Sequence, residues 1–306
     1  MKLPVWIDCD PGVDDAAGLL LAHTLPELEI VGISTVAGNV PLSVTTANAL
    51  KLGNFLGTTY PVYAGAKGPM LRPYVHGADF HGADGFCGAT LPESSRQAES
   101  QTAWAGLYAA AKAHAGRLEL VTMGPLTNIA IALQVYPDLP QYLHRIVMMG
   151  GSATRGNRTP CAEYNIYADP EAAQAVFRSG VPIVMCGLEV TEQAYFTPEE
   201  WDELGSVPTE KARFLHRAGL HILEKNLQTG QKGFCIHDAC PVFYLAHPEA
   251  FQGEEAGVFV ETQGSITLGK TVTDLYSDRQ FETKNALVLL QIDRQAFRQA
   301  ILNALQ

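Results

Sequence analysis

A strand that turns directly into a helix opens the chain, and this feature constrains the fold more than any other. Leu3 to Ile7 is a short apolar run, the Pro11-Gly12 pair interrupts it, and Ala16 to Ala22 continues apolar. Apolar runs separated by a Pro-Gly break are typical of two regular elements joined by a tight turn. The stretch therefore predicts a strand, a turn and a helix at the start of the chain.

Four aspartates lie around this turn: Asp8, Asp10, Asp14 and Asp15. Asp8 and Asp10 share a face if the strand extends that far, because strand side chains alternate. Asp14 and Asp15 open the helix, where free N–H groups and the positive end of the helix dipole favour carboxylates. A helix cap would explain one aspartate, but four repel one another and raise one another's pKa unless a cation holds them. Hard carboxylate oxygens suit Ca²⁺ or Mg²⁺ rather than Zn²⁺, so we predict a divalent-metal site at the carboxyl end of the strand.

The composition limits what can surround such a site. The 306 residues are 47% apolar and 17% charged, and no linker or charge run divides them, so we predict one domain spanning residues 1–306. A net charge of -11 and the lack of a basic cluster argue against nucleic-acid and membrane partners, because neither feature neutralises phosphates. A small or neutral substrate fits this charge better.

Features that would direct the chain out of the cytoplasm are not found in the sequence. No apolar run is long enough to cross a bilayer, and the first residues lack a basic region and a cleavage site. Six scattered cysteines form no Cys-x-x-Cys pair, which is typical of buried free thiols in a reducing compartment. We therefore expect a cytoplasmic protein.

Strand-like and helix-like runs alternate along most of the chain. Leu28 to Val36 is β-rich and Ser43 to Phe55 has a helical pattern, which begins a βαβα order. Five of the predicted strands end on Gly, Asn or Asp, and such ends form the ligand-binding side of open α/β sheets. The other predicted strands are Tyr60–Ala64, Leu118–Met123, Arg145–Met149 and Val181–Cys186, and the other predicted helices include Thr102–Ala115, Glu210–Gln228 and Arg294–Leu305.

Two loops and a late group of strands complete this organisation. Gly65 to Ser95 is a long glycine-rich loop, and Ser152 to Ala168 is a polar loop. Val258 to Gln263, Lys270 to Tyr276 and Ala286 to Ile292 alternate like strands of an antiparallel edge. We predict an α/β fold with a mostly parallel, Rossmann-like central sheet flanked by helices and a small antiparallel extension.

Asp8 to Ala16 resembles the amino-terminal signature of the calcium-dependent nucleoside hydrolases, also called the inosine-uridine preferring family. The chain is most similar to the bacterial non-specific ribonucleoside hydrolases of that family, notably from Met149 to Ala172 and from Phe177 to Leu188 and from Val260 to Gly264. The resemblance implies the nucleoside hydrolase fold and hydrolysis of purine and pyrimidine ribonucleosides to ribose and free base. Further matching stretches follow in the family's order: Val36–Asn39, Gly124–Asn128, Met149–Gly151, Arg155–Asn157, Glu163–Asn165, Ala168–Ala172 and His237–Asp238.

The resemblance also implies the metal ligands and the ribose contacts. One Ca²⁺ per subunit would be held by Asp10, Asp15, Asp238 and the backbone carbonyl of Met123, with water and the ribose hydroxyls as its other oxygen ligands. Carboxylates and amides can each bond a sugar hydroxyl twice, which leaves little room for a deoxy analogue. The residues that would line the ribose are Asp14, Asn39, Met149, Asn157, Glu163 and Asn165.

In the implied reaction, Asp10 is both a metal ligand and the catalytic base. Asp10 would deprotonate a calcium-bound water that attacks C1′, while the carboxylate-rich pocket stabilises the oxocarbenium charge on the ribose. His237 would donate a proton to the leaving base, His81 would close over the base, and Asp8 would support the site. The resemblance further implies a homodimer or homotetramer.

Several alternatives stay open at this point. Taken alone, Asn39 fits a helix cap, Met149 a core residue and Asn157 a turn residue. The segment Asn226–Gly233 lacks the tyrosines of pyrimidine specialists, which favours broad base use over a pyrimidine- or inosine/uridine-preferring enzyme. A non-catalytic nucleoside-binding sensor would keep the pocket without turnover. A phosphatase that uses the paired aspartates would need a phosphate-binding lysine in a matched context, which we do not locate.

Overall fold

Apolar runs form eleven strands in the part of the chain that the structure, a computed structural model, describes: residues 2–276 and 280–306. In chain order the strands are β1 (Leu3–Cys9), β2 (Leu28–Thr35), β3 (Val62–Ala64), β4 (Leu118–Thr122), β5 (Leu143–Met149), β6 (Ile183–Cys186), β7 (Tyr195–Phe196), β8 (Phe234–Cys235), β9 (Phe251–Val260), β10 (Thr271–Asp274) and β11 (Ala286–Ile292). Nine of them form one sheet in the order β10-β9-β11-β6-β5-β4-β1-β2-β3, and β7 pairs with β8 separately. The seven strands at one side of this order, β11-β6-β5-β4-β1-β2-β3, are all parallel to their neighbours. Strand β9 is antiparallel to β11 and to β10. The predicted mostly parallel sheet with an antiparallel extension is confirmed.

Helices cover both faces of this sheet. The side chains of β1 alternate between two apolar cores, with Val5 and Ile7 in one core and Trp6 in the other. No helix among the described residues combines the length and the apolarity needed to cross a bilayer. The helices are α1 (Val13–Thr24), α2 (Leu42–Phe55), α3 (Ala78–His81), α4 (Ala103–His114), α5 (Thr127–Val135), α6 (Tyr164–Ala168), α7 (Pro170–Phe177), α8 (Leu188–Thr191), α9 (Pro198–Gly205), α10 (Glu210–Gln228), α11 (Ala239–Ala246) and α12 (Arg294–Ala304).

Helix α1 lies inside the protein and carries acidic residues with it. Its residues from Val13 to Ala22 are buried, and it packs against α10, α11 and α12. Asp15 accepts a hydrogen bond from the Gly12 backbone N–H at 2.9 Å, which satisfies one of the free amides at the helix start. The carboxylates of the strand-turn-helix unit are therefore buried at the carboxyl end of β1.

Three local predictions were wrong. The pairing of β1 with β2 ends at Cys9, so Asp10 follows the strand instead of sharing its face with Asp8. The predicted polar loop ends in helix α6, because the Glu163 carboxylate accepts hydrogen bonds from the Asn165 and Ile166 amides at 2.9 and 3.1 Å and so caps the first turn. Strand β9 begins at Phe251 rather than Val258, because its pairing with β11 continues through exposed polar residues.

The cysteines are free thiols, as predicted. The prediction that they are buried holds for Cys9, Cys186, Cys235 and Cys240 and is wrong for Cys87 and Cys161. These two are half-buried because they lie in loops outside the helices and strands.

Candidate active site

A cavity of about 420 Å³ lies at the carboxyl end of the central sheet. The chain leaves β1, β2, β4 and β5 at this edge, which brings residues 10, 39, 123 and 149 together. All residues predicted for the site line the cavity except Asp10 and Asp15, which lie fully buried beneath it. We call Asp8, Asp10, Asp14, Asp15 and Asp238 the floor carboxylates.

Asp10 and Asp15 are held by backbone amides and by one asparagine. The Asn39 N–H donates to Asp10 Oδ2 at 2.6 Å, and the Asn39 side-chain amide donates to Asp15 Oδ2 at 3.1 Å. The Asp10 N–H donates to Asp15 Oδ1 at 3.2 Å. The helix-cap interpretation of Asn39 is wrong, because Pro41 is the N-cap of α2 and Asn39 positions the two aspartates instead.

Three of the floor carboxylates are close enough to bind one cation. Oxygen atoms of Asp14, Asp15 and Asp238 all lie within 4.8 Å of one another, and all three residues are buried. Burial, followed by the charge of neighbouring aspartates, raises the pKa of Asp15 to about 7 and the pKa values of Asp10 and Asp238 well above their usual range. Among residues 2–276 and 280–306, no lysine or arginine forms an ion pair with these carboxylates.

Three oxygens of the floor carboxylates have no hydrogen-bond partner among the described residues: Asp8 Oδ2, Asp10 Oδ1 and Asp14 Oδ1. An unpaired buried acid oxygen is unfavourable, and a hard divalent cation is the partner that such oxygens prefer. The donor set therefore fits a metal of that kind. The group of three carboxylates within 4.8 Å contains Asp14, whereas the ligand set implied by the resemblance contains Asp10. Asp15 and Asp238 belong to both sets.

Asn165 joins the ends of β4 and β5 beside the carboxylates. Its side-chain amide donates to the backbone carbonyls of Met123 at 3.0 Å and Met149 at 3.3 Å. Both methionines are buried, so the core interpretation of Met149 also holds, although this residue borders the cavity as well. The Met123 carbonyl that sequence reasoning assigned to the metal is thus at the cavity wall.

Glu163 and Asn157 also line the cavity, with different surroundings. Glu163 is buried and also accepts from the Gly151 N–H at 3.0 Å, and burial raises its pKa to about 6. Asn157 is exposed, and its side-chain oxygen accepts from the Tyr164 N–H at 2.9 Å. Sequence reasoning missed that Glu163 is a helix cap, because glutamate is not among the residues usually found at that position.

Two histidines face the cavity from different segments. His237 Nδ1 is 2.9 Å from Thr191 Oγ1, which leaves Nε2 as its remaining ring nitrogen. His81 Nδ1 accepts from the Val13 N–H at 3.3 Å and is 4.0 Å from Asp14 Oδ1. Burial lowers the pKa of both histidines, and the charge of Asp14 opposes that shift.

Sequence reasoning missed the residues that hold Asp8. The Ser34 hydroxyl and the Asn128 side-chain amide both donate to Asp8 Oδ1, the latter at 2.8 Å, and burial raises the pKa of Asp8 to about 7. Asn128 Oδ1 in turn accepts from the Ala66 N–H at 2.8 Å. Asn128 lies in one of the stretches that matched the family, which was the available signal.

The cavity mouth is formed by three segments, which we call the mouth segments: residues 76–82, 152–158 and 225–231. Lys225 and Gln231 line the cavity, and of these two only Gln231 lies in the segment Asn226–Gly233 that was singled out in the sequence. Arg155 lies on another side and pairs with Glu192 at 2.7 Å. These contacts connect segments that are distant in sequence, so no local sequence pattern predicts them.

Comparison with known proteins matches the chain to one family over nearly its whole length. A sequence model described as inosine-uridine preferring nucleoside hydrolase covers residues 5–299. The chain is 42% identical to the non-specific ribonucleoside hydrolase RihC of Escherichia fergusonii, over 100% of this chain and 99% of the relative.

Two solved structures superpose closely. A plant nucleoside hydrolase, PpNRh1, has a TM-score of 0.93 at 28% identity, with 100% of this chain and 99% of that chain covered. The purine-preferring ribonucleoside hydrolase of Gardnerella vaginalis has a TM-score of 0.92 at 29% identity, with 99% and 98% covered.

Proposed function

Because the chain belongs to the inosine-uridine preferring nucleoside hydrolase family, we propose that it hydrolyses the N-glycosidic bond of purine and pyrimidine ribonucleosides to ribose and free base. The observation that carries this proposal is the group of buried floor carboxylates beneath a cavity of nucleoside size. Cleavage of the bond develops positive charge on the ribose, and a carboxylate-rich site stabilises that charge.

One Ca²⁺ per subunit is the proposed cofactor, held by Asp10, Asp15, Asp238 and the Met123 carbonyl. Carboxylate and carbonyl oxygens are the ligands that calcium prefers, and the bound ion would make the attacking water more acidic. Asp10 has one oxygen fixed by the Asn39 N–H and a second oxygen, Oδ1, that has no partner in the part of the chain that the structure describes. Oδ1 is therefore the atom that we assign as the acceptor of the water proton.

The ribose is proposed to bind through acceptors that the protein leaves unsatisfied. Asp14 Oδ1 has no partner among the described residues, and the side-chain nitrogens of Asn39 and Asn165 are engaged, which directs their oxygens to a ligand. Each such oxygen requires a hydroxyl donor. Removal of one substrate hydroxyl leaves a buried acceptor unpaired, so we expect 2′-deoxyinosine to be hydrolysed about 10⁴-fold less efficiently than inosine.

At the base, His237 is the proposed proton donor. Thr191 fixes Nδ1, so the imidazole presents Nε2 to the leaving group. His81 is proposed to cover the base from the 76–82 segment. The absence of tyrosine from residues 226–233 supports broad base use, with a pyrimidine- or inosine/uridine-preferring enzyme as the alternative.

A reducing-sugar assay with inosine, uridine, adenosine, cytidine and xanthosine in the presence of calcium tests the proposal. We expect ribose release from purine and pyrimidine substrates, and the same release from Asp138→Asn, a control whose carboxylate lies outside the cavity. No release from any nucleoside would contradict the proposal. Tight binding of inosine without turnover would instead identify a nucleoside sensor.

We also propose a homodimer or homotetramer in the cytoplasm. Apolar side chains such as Leu71 and Ile266 are 76% and 82% exposed, and exposed apolar groups of this kind are common where subunits meet. Light scattering of the purified protein measures the subunit number directly. A monomer at micromolar concentration would contradict this part of the proposal.

A further inference from the structure

Two side chains from different helices donate to backbone carbonyls of the loop that carries His81. The Tyr164 hydroxyl of α6 donates to the Val75 carbonyl at 3.1 Å, and the Lys225 ammonium of α10 donates to the Asp79 carbonyl at 2.6 Å. We propose that Tyr164 and Lys225 are positioning residues that hold residues 76–82 over the cavity and so place His81 for the reaction. This inference rests on the proposed function, in which His81 covers the base.

None of residues 76–82 is buried, and besides Tyr164 and Lys225 the segment is held by contacts of Val13 with His81 and of Cys87 with Phe80 and His81. Helix α3 within it has no buried residue, and Phe80 is 44% exposed. A segment without buried apolar contacts is at the low end of local stability, so individual polar contacts determine its position. Its backbone contact to the site is the Gly77 N–H, which donates to the Asn39 carbonyl at 2.9 Å.

Lys225 makes two contacts with the segment at once. Its ammonium bonds the Asp79 carbonyl and also lies 4.2 Å from the centre of the Phe80 ring. A cation over an aromatic face is attracted by the ring quadrupole, and a charged donor forms a stronger hydrogen bond than a neutral one. Lys225 therefore fixes both the backbone and a side chain of α3 to α10.

Tyr164 contacts the other end of the segment through one atom. Its ring lies at the cavity wall, and its hydroxyl reaches the Val75 carbonyl just before residue 76. A phenylalanine would keep the ring and lose only this bond. The hydroxyl is thus separable from any packing role of the ring.

The segment's position decides where His81 lies. His81 Nδ1 accepts from the Val13 N–H at 3.3 Å and is 4.0 Å from Asp14 Oδ1, and both distances change if residues 76–82 shift. Tyr164 and Lys225 bond no atom of His81 themselves. Their contribution to turnover should therefore disappear when the His81 imidazole is absent.

Hydrogen–deuterium exchange and steady-state kinetics on the full chain test this inference together. The Gly77 amide donates to the Asn39 carbonyl, and the amides of Phe80, His81 and Gly82 donate within the loop, so their exchange rates report how often the segment opens. Loss of a charged hydrogen bond in Lys225→Met should raise these rates about 10-fold or more, and loss of a neutral one in Tyr164→Phe about 5-fold. Lysine and tyrosine controls are Lys51→Met, which breaks the pair with Glu93, and Tyr108→Phe, which removes the bond to Asp138.

The kinetic readout separates positioning from direct binding. We expect Lys225→Met to lower kcat/KM for inosine about 10-fold, mainly through KM, and Lys225→Arg to restore it because a guanidinium can donate to the same carbonyl. In a His81→Ala background the Lys225→Met change should have no further effect. An equal loss in that background would overturn the inference, because Lys225 would then act on the substrate itself.

The exchange measurement remains decisive even if the proposed function fails. Unchanged exchange at residues 77–82 in both Tyr164→Phe and Lys225→Met would overturn the positioning role whatever the activity. Faster exchange in these variants, with controls like wild type, would support that role. A wild-type protein that hydrolyses no nucleoside would contradict the proposed function and leave the exchange result standing.

Discussion

The floor carboxylates and the mouth segments are built in opposite ways. Asp8, Asp10 and Asp15 are fully buried, and they accept hydrogen bonds from backbone amides or from side chains such as Ser34 of β2 and Asn128 of α5. The mouth segments lie in loops, in the short helix α3 or at the end of α10, and side-chain contacts such as Arg155 with Glu192 hold them at the surface. The groups that repel one another most are thus placed where the backbone holds them most firmly.

This difference separates two tasks within one cavity. Like charges stay close only where the surrounding structure resists their separation, and strand ends joined by several hydrogen bonds provide that resistance. A loop surface can change its side chains without disturbing such a cluster. We therefore expect chemistry to depend on the floor carboxylates, and base preference and substrate access to depend on the mouth segments.

The largest expected effect is at the floor. Asp10→Asn keeps the size of the side chain and removes both the proposed base and a metal ligand, so ribose release from inosine should fall by about 10⁴-fold or more. In the metal-free protein the same change removes repulsion, so the thermal midpoint should not decrease. Asp138→Asn serves as the control, and a wild-type rate for Asp10→Asn would break the comparison.

Substitution of His237 should have the next largest effect. His237→Ala should lower kcat by about 10²–10⁴-fold if the imidazole is the proton donor, with a greater loss for inosine than for uridine. Thr191→Val keeps the ring and removes the contact to Nδ1, so its loss should be smaller. Equal losses of His237→Ala on both substrates would indicate a binding role instead.

A support residue of the floor should affect stability more than any mouth residue does. Asn128→Ala removes a buried bond to Asp8 and a bond from the Ala66 amide, so the free energy of unfolding in urea should decrease by about 3 kcal/mol. Asn54→Ala removes one exposed bond to the Glu93 carbonyl and should cost less than about 0.5 kcal/mol. Similar losses for the two variants would show that the bonds of Asn128 hold the floor no more firmly than one exposed hydrogen bond would.

The smallest effect is expected at an exposed mouth residue. Asn157 accepts one bond, from the Tyr164 amide, and is open to solvent. Asn157→Ala should therefore reduce kcat/KM by about 10-fold or less, chiefly through KM, with unfolding unchanged. A loss of activity as large as that of Asp10→Asn would show that turnover depends on the mouth segments as much as on the floor carboxylates.

Much of the floor was predictable from sequence, and the reason is local. The strand, the turn and the start of α1 follow one another directly, so the aspartates of residues 8–15 had to lie together. Their division of contacts was not predictable. Asp10 lies beyond the end of the β1 pairing, and the group of three carboxylates within 4.8 Å contains Asp14 and not Asp10.

The mouth was largely unpredictable because its contacts connect distant loops. Lys225 contacts Asp79, which is 146 positions away in the sequence, and Tyr164 contacts Val75, which is 89 positions away. No periodic pattern marks these residues. Glu163 was assigned to the ribose by resemblance, while its bonds to the backbone amides of α6 appear only once that helix is seen. Regular elements could be predicted from hydrophobic periodicity, whereas loop docking could not.

Calcium dependence tests the central claim most directly. Protein treated with a chelator and then dialysed should release no ribose from inosine, and activity should return in proportion to Ca²⁺ added, saturating at one ion per chain in a calorimetric titration. Asp238→Asn should weaken that binding, because it removes a carboxylate from the group of three within 4.8 Å. Full activity after chelation, with no heat of calcium binding, would contradict the account.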